Sequence, residues 1–549
     1  MIASALNRRS FRTAHALTLL TLVAVLAGCA PANSGTGGNA STQAPAAPKV
    51  LRIGTLKEPT TGIAVYAGSS NMSAQHMWMF HAGHTVTEQQ DNIQPRVAAK
   101  VPSVEGGDWK VAPDGSMEVT WKLRPNVLWH DGTPLTAEDF VLGIRVARDP
   151  ELPLPRTGQV GLISDVLAPD TQTLIVRWSQ PYFGANQGGP ADVPAVPNHI
   201  MGALYQAGDK KAFTNSSYWT TEFVGLGPYR LGQWEPGSFT EALAFDSYFL
   251  GRPKIDRIII RYITDATVLS TNLMSGDVDL VAIGSLKYDD LLPVKAAWGA
   301  QGGTVIEMMS DVTWGRFQFK DPTLPWQRDP RVRQALVHTI DRQTLADTFF
   351  PGGGSAPADM FLSPEDPAFR LAEQRSAKKY PYDLTTAARL FGESGWTKGV
   401  DGIFQRNGQP FSIEVRIAAN TPGNVQQGLA LADQWKRGGL DSPLFSIPGT
   451  ATDKAEQKAL GNRGVFIQPT SIAPDVFEGM TSAVIASESN GWSGANISGY
   501  NNPEYERLYA AFANELDPTR RTSRYADVAK FAADEVIFLP LYYSSGSAT

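Results

Sequence analysis

The stretch Trp121-Lys-Leu-Arg-Pro-Asn-Val-Leu-Trp-His-Asp-Gly-Thr-Pro-Leu-Thr-Ala-Glu-Asp-Phe140 writes an extended segment, a turn and the start of a helix in one run. Trp121, Leu123, Val127 and Leu128 are the apolar positions of the extended part, which Pro125 interrupts. His130-Asp131-Gly132 carries turn chemistry, because glycine tolerates positive φ and Asp bonds the local backbone. Thr136 to Asp139 reads as a capping box, a hydroxyl for orphan helix amides with an acid three residues on. Phe140, Val141, Ile144 and Val146 follow at near-helical spacing.

The chain around this stretch has 549 residues, too many for one hydrophobic core, so more than one domain is expected. A 42% hydrophobic and 19% charged composition fits a soluble globular body. The N-terminus differs. Arg8, Arg9 and Arg12 precede the apolar run from Ala16 to Ala27, which ends in Leu26-Ala-Gly-Cys29. This layout predicts a secretory signal over residues 1–29. Cys29 is the only cysteine, and it stands where a bacterial lipobox puts its lipidated residue. A lipid-anchored protein outside the cytoplasmic membrane follows, with residues 30–48 as an uncharged, Pro/Ser/Gly-rich tether. Loss of three arginines and no acid with the signal takes the formal charge from −6 to −9. So acidic a body argues against nucleic acid as a partner.

Further motifs lie on both sides. Val224-Gly-Leu-Gly-Pro-Tyr229 and Phe245-Asp-Ser-Tyr-Phe-Leu-Gly-Arg-Pro253 precede a β-rich run, Ile255 to Asp265, and a β–α–β unit to Leu280. Asp329-Pro-Arg-Val-Arg-Gln-Ala-Leu336 begins a helix with Asp as cap and Pro at the first position. Tyr382 to Trp396 is a helix stopped by Gly395, Gly499-Tyr-Asn-Asn-Pro-Glu-Tyr505 a turn, and Ile537 to Tyr543 a closing strand.

In this order the motifs resemble the extracellular solute-binding proteins of ABC importers, family 5, which bind peptides, nickel or oligosaccharides. The resemblance covers Leu51 to Tyr543. It implies an α/β fold of two lobes, periplasmic-binding-protein-like (type II, cluster C-like), joined by two hinge crossings. The expected partition is 49–263 plus 519–549 for lobe I, with an extra subdomain, and 264–518 for lobe II. The implied function is capture of a peptide between closing lobes and delivery to an ABC permease, by a monomer with no cofactor. An oligosaccharide or a metal chelate is the alternative cargo, and a cell-surface hydrolase the alternative class.

The candidate ligand contacts in the N-terminal half are Tyr66 and Tyr262, followed by Trp314, Arg316 and Phe317, whose strand lines the family's ligand side. Core packing is an equal expectation for Trp314 and Phe317. Phe466, Gln468, Asp475, Trp492 and Tyr500 complete the set, with burial in the lobe an equal expectation for Trp492 and Tyr500. Asp475 stands near the acid with which the family's peptide binders can pair a ligand amino group, although the surrounding pattern departs from theirs.

The densest metal-like cluster is His76, His81 and His84, but on a helix they turn by about 140° and then −60° and share no face. They are expected to be solvent-facing or satisfied in the core, with no metal site. Gly491-Trp-Ser-Gly494 lacks the second glycine of a nucleophile elbow in register, and there is no HExxH and no P-loop. The chain is expected not to be an enzyme.

Overall fold

The computed structural model describes residues 47–548 except 59–70, 89–91, 153, 155–157, 190–194, 352–354, 419–421, 448–463, 473 and 489–493. The signal segment, Cys29, Tyr66 and Trp492 lie outside the described residues. Among those described, no helix is long and apolar enough to cross a membrane.

Strand β1 (Val50–Thr55) opens the first sheet and helix α1 (Asn71–Phe80) follows it. The chain then builds a subdomain from β2 (Trp109–Val111), β3 (Met117–Lys122), α2 (Ala137–Arg148), β4 (Ile163–Asp170) and β5 (Thr173–Trp178), with strand order β2-β3-β5-β4. It returns to the first sheet with β6 (Tyr229–Glu235), β7 (Phe239–Ala244) and β8 (Arg257–Tyr262). Helix α3 (Ala266–Ser275), β9 (Leu280–Val281) and α4 (Tyr288–Ala300) close this lobe. The sheet order is β9-β1-β8-β7-β6, with β1 parallel to both its neighbours.

The second lobe begins with β10 (Ile306–Phe317), α5 (Pro330–His338), α6 (Arg342–Phe349) and β11 (Ser355–Pro357). It continues through α7 (Pro367–Gln374), α8 (Leu384–Glu393), β12 (Glu414–Ala418), α9 (Pro422–Arg437), β13 (Leu444–Ile447) and β14 (Gly464–Ser471). It ends with α10 (Pro503–Ala513), α11 (Pro518–Glu535) and β15 (Phe538–Ala548), in a sheet ordered β11-β15-β10-β14-β12-β13.

Sheet membership groups the segments differently from the expected partition in two places. Residues 519–549 were expected with the first lobe, but β15 lies inside the second sheet, paired with β10 from Ile306 to Arg316. Residues from 264 were expected in the second lobe, but β9 pairs with β1 and α3 packs on the first sheet. The motifs locate elements along the chain, whereas sheet membership depends on pairing between segments far apart in sequence.

Local chemistry explains the helices. Asp329 accepts the Arg331 amide at 3.0 Å ahead of Pro330, and Asp383, Asn502 and Asp517 cap α8, α10 and α11 in the same way. Gly395, at φ +80°, stops α8. In the opening stretch Trp121, Leu123, Val127 and Trp129 are all buried, the last in place of the expected Leu128. Asp139 does more than cap. Its buried carboxylate accepts the Thr136 amide at 2.8 Å, the Trp129 indole at 3.3 Å and the Asn198 amide at 2.7 Å.

Two histidines hold Gly225-Leu-Gly227, His130 from within this stretch and His81 stacked on its Trp129. His130 Nδ1 accepts the Gly225 amide at 3.1 Å, and its Nε2 meets the Gly227 carbonyl at 3.0 Å. His81 Nδ1 accepts the Leu226 amide at 3.2 Å, and its Nε2 meets the Ala195 carbonyl at 3.2 Å. The glycines are needed for close approach: a Cβ on Gly225 would stand 1.9 Å from the Phe80 carbonyl oxygen. His76, His81 and His84 are all buried, which removes the solvent-facing alternative. Burial pushes His76 and His130 down to about 4 and His81 and His84 down to about 3, so all four are neutral.

Candidate functional site

In α/β sheets ligands take the carboxyl ends of parallel strands, where loops rather than sheet meet the solvent. In the first sheet β1, β8 and β9 are parallel and end together at Thr55, Tyr262 and Val281. In the second, β12, β13 and β14 are parallel and end at Ala418, Ile447 and Ser471. Strand β10 is antiparallel to β14, which brings Asp311 opposite Ser471 at the same edge. Tyr288, at the start of α4 just beyond β9, donates to the Pro351 carbonyl at 3.0 Å and packs on Phe350 with ring centroids 5.1 Å apart. The carboxyl edge of the first sheet therefore looks onto the second lobe.

The first edge is polar and internally braced. Glu58, just past β1, accepts the Trp234 indole N–H at 2.6 Å and the Gly237 amide at 3.0 Å. The Ser285 hydroxyl donates to Thr55 Oγ1 at 3.3 Å. Tyr262 and Thr240 share a hydrogen bond between their hydroxyls. Burial pushes the Tyr262 phenol up to about 12, which keeps it neutral.

The second edge is organised by cross-strand pairs. Trp314 pairs with Gln468 and Arg316 with Phe466, and directly opposed residues share one sheet face. Thr470 continues that face. Its Oγ1 accepts the Trp314 indole at 3.0 Å and the Gln468 amide at 3.2 Å. The Arg316 guanidinium lies 4.8 Å over the Trp314 ring, and its Nη1 donates to the Ala495 carbonyl at 3.4 Å. Burial pulls Arg316 down to about 10, so it is still a cation at neutral pH. A guanidinium held this way presents a planar fork suited to a carboxylate.

The structure thus brings together four of the residues singled out in the sequence: Trp314, Arg316, Phe466 and Gln468. Trp314 has no exposed surface; Phe361 and Phe538 meet it edge-on, and it is packed as part of the core. Phe317 falls on the opposite sheet face, fully buried in the core. Tyr500 is likewise core, its ring packed between Phe319 and Tyr505. Asp475 begins a short helix (Asp475–Glu478) beyond the end of β14. Glu58, Thr240, Asp311 and Thr470 were missed; their only signal is position near strand ends, which matters once the parallel pairing is known. A polar cavity of about 400 Å³ lined by Glu138, Arg145, Tyr205 and Lys210 belongs to the subdomain and not to either edge. Among the described residues no group of three or more His, Cys, Asp or Glu is placed to hold a metal.

Two α/β lobes, in contact where Tyr288 meets Pro351 and Phe350, make a two-lobed protein. The sequence pattern of the bacterial extracellular solute-binding proteins, family 5 Middle, matches residues 93–489, and the chain belongs to that family. It is 22% identical over 550 aligned residues to the oligopeptide-binding protein AppA of Bacillus subtilis, covering 97% of this chain and 94% of that relative. In fold it is similar to NikZ of Campylobacter jejuni in complex with Ni(L-His), with a TM-score of 0.71 and 20% identity over 91% of this chain and 93% of the other. The oligopeptide-binding protein of Thermus thermophilus complexed with a pentapeptide is similar at a TM-score of 0.70, with 22% identity and 91% of each chain covered. As a member of an extracellular solute-binding family, the chain works outside the cytoplasmic membrane.

Proposed function

We propose that this chain is the lipid-anchored receptor of an ABC importer, which encloses a peptide between its lobes and passes it as a monomer to a membrane permease, without chemical turnover. The carrying observation is the contact of Tyr288, just beyond the carboxyl edge of the first sheet, with Pro351 and Phe350 of the second lobe. Peptide is favoured by the nearly full-length likeness to an oligopeptide-binding relative. The donors and acceptors at the edges suit it. Tyr262, Gln468 and Thr470 are neutral hydrogen-bonding groups for backbone amides, while Glu58 and Arg316 offer opposite charges for the two ends of the ligand.

The lobes in this reading are 48–305 and 306–548. The hinge lies where β10 begins and β15 ends, paired from Ile306 with Ala548. Rotation there opens and closes the edges on one another, and contacts made only in the closed state draw the equilibrium toward it. Lipid on Cys29 and the tether after it keep the body near the permease.

Native mass spectrometry of protein purified without denaturant tests the cargo and the stoichiometry. A ladder of peptide masses on a single chain is expected; a bound glycan or metal complex would replace the peptide assignment. Hydrolysis of an added peptide pool would overturn binding without turnover. A palmitate label retained by Cys29→Ala would overturn the anchor.

A further inference from the structure

The core of the second lobe and that of the subdomain exchange side chains away from the crossing into β10. Phe183 follows β5 in the subdomain, in a short 3-10 turn (Phe183–Asn186), yet its ring packs against the core of the second lobe. Its centroid lies 5.6 Å from that of Phe512 of α10, and the Arg521 guanidinium of α11 sits over the Phe183 ring, 4.6 Å from the centroid. In return Leu516, in the loop between α10 and α11, packs against the subdomain core around Trp121 and Trp178. Phe512 is itself stacked on Tyr525, with centroids 4.8 Å apart and planes 19° from parallel, so the receiving surface is rigid.

We propose that Phe183, Phe512, Leu516 and Arg521 form a clasp between the lobes that sets how much of the protein is closed, and thereby tunes ligand affinity without touching ligand. The proposal rests on the reading of two closing lobes. The contact between Tyr288 and Phe350 belongs to α4 and to the end of α6, on either side of β10 in the chain, so it stays close to the hinge when the lobes part. The clasp joins the subdomain to the helices that precede β15, and opening would return Phe183 and Leu516 to water. An aromatic pair with a cation over one ring gives that contact geometry as well as apolar burial. Ligand binds the closed form, so its apparent affinity scales with the closed fraction in the free protein.

Small-angle scattering of the ligand-free full chain, with calorimetric titration by a tryptic peptide pool, tests this. Phe183→Ala is expected to raise the ligand-free radius of gyration and to weaken peptide binding about three- to tenfold. Its radius with saturating peptide should match that of the parent. Arg521→Gln should shift both quantities in the same direction but less, and Phe183→Tyr, which keeps a ring, should restore them. An unchanged ligand-free radius in folded Phe183→Ala protein overturns the clasp. If that variant loses its circular dichroism signal, the radius of Arg521→Gln decides instead. A parent protein that takes up no peptide overturns the cargo assignment, while the ligand-free radii still decide the clasp.

Discussion

The junction between the opening stretch and Gly225-Leu-Gly227 is held differently from the face that carries Trp314, Arg316, Phe466 and Gln468. At the junction, neutral histidines and a buried Asp139 satisfy backbone amides one by one, and glycines admit backbone that any Cβ would displace. On the sheet face, side chains meet because two strands far apart in sequence are in register, and a cation is kept there over an indole. The first arrangement stabilises a joint. The second holds polar groups in a poorly solvated place, which costs stability and suits a binding surface.

Acid should separate the two most strongly. The four buried histidines have folded-state values lowered to about 3 to 4, so the unfolded chain takes up protons first. Their contribution is fully present above the ordinary histidine value near 6.5 and is lost as pH falls toward 4, at up to about 1.4 kcal/mol per pH unit for each group. Urea midpoints measured between pH 7.5 and 5 should fall steeply, and replacing His84 by Phe should flatten the slope. A flat profile would mean that the junction opens to water.

Gly225→Ala drives a methyl group into the Phe80 carbonyl and should cost about 3 kcal/mol or more, read from urea denaturation. His130→Leu keeps the bulk but leaves the Gly225 amide and the Gly227 carbonyl without their ring partner, for a loss of about 2 kcal/mol. On the sheet face the effects should be smaller and of a different kind. Thr470→Val removes the acceptor of the Trp314 indole and should cost about 1 kcal/mol. Arg316→Met, which replaces a buried cation by an apolar chain, should leave stability within about 1 kcal/mol of the parent or raise it. The same variant should weaken binding of a peptide pool by calorimetry. Equal losses of stability at both regions would erase the contrast.

Much of the fold was legible because its signals are local. Asp329-Pro330 announces a helix start through cap and ring geometry, and Gly395 announces a stop through positive φ. The site was half legible. Arg316 and Gln468, chosen through their motif's neighbourhood, share one sheet face, while Phe317 and Tyr500, for which core packing was an equal expectation, are core. An aromatic on a strand next to a site and one on the strand's far face are the same residue type at adjacent positions, and only the pairing register tells them apart.

By itself the sequence determined the family, the order of elements and the residues that cap, turn and fill them, since each rests on contacts within a few positions of the chain. Tertiary structure alone decided that β15 belongs to the second sheet, that Glu58 and Thr470 are bonded to Trp234 and Trp314 near strand ends, and that Phe183 reaches the other lobe's core. Those outcomes depend on pairings across tens to hundreds of residues, where the free energy comes from register and shared burial, and no local pattern carries either.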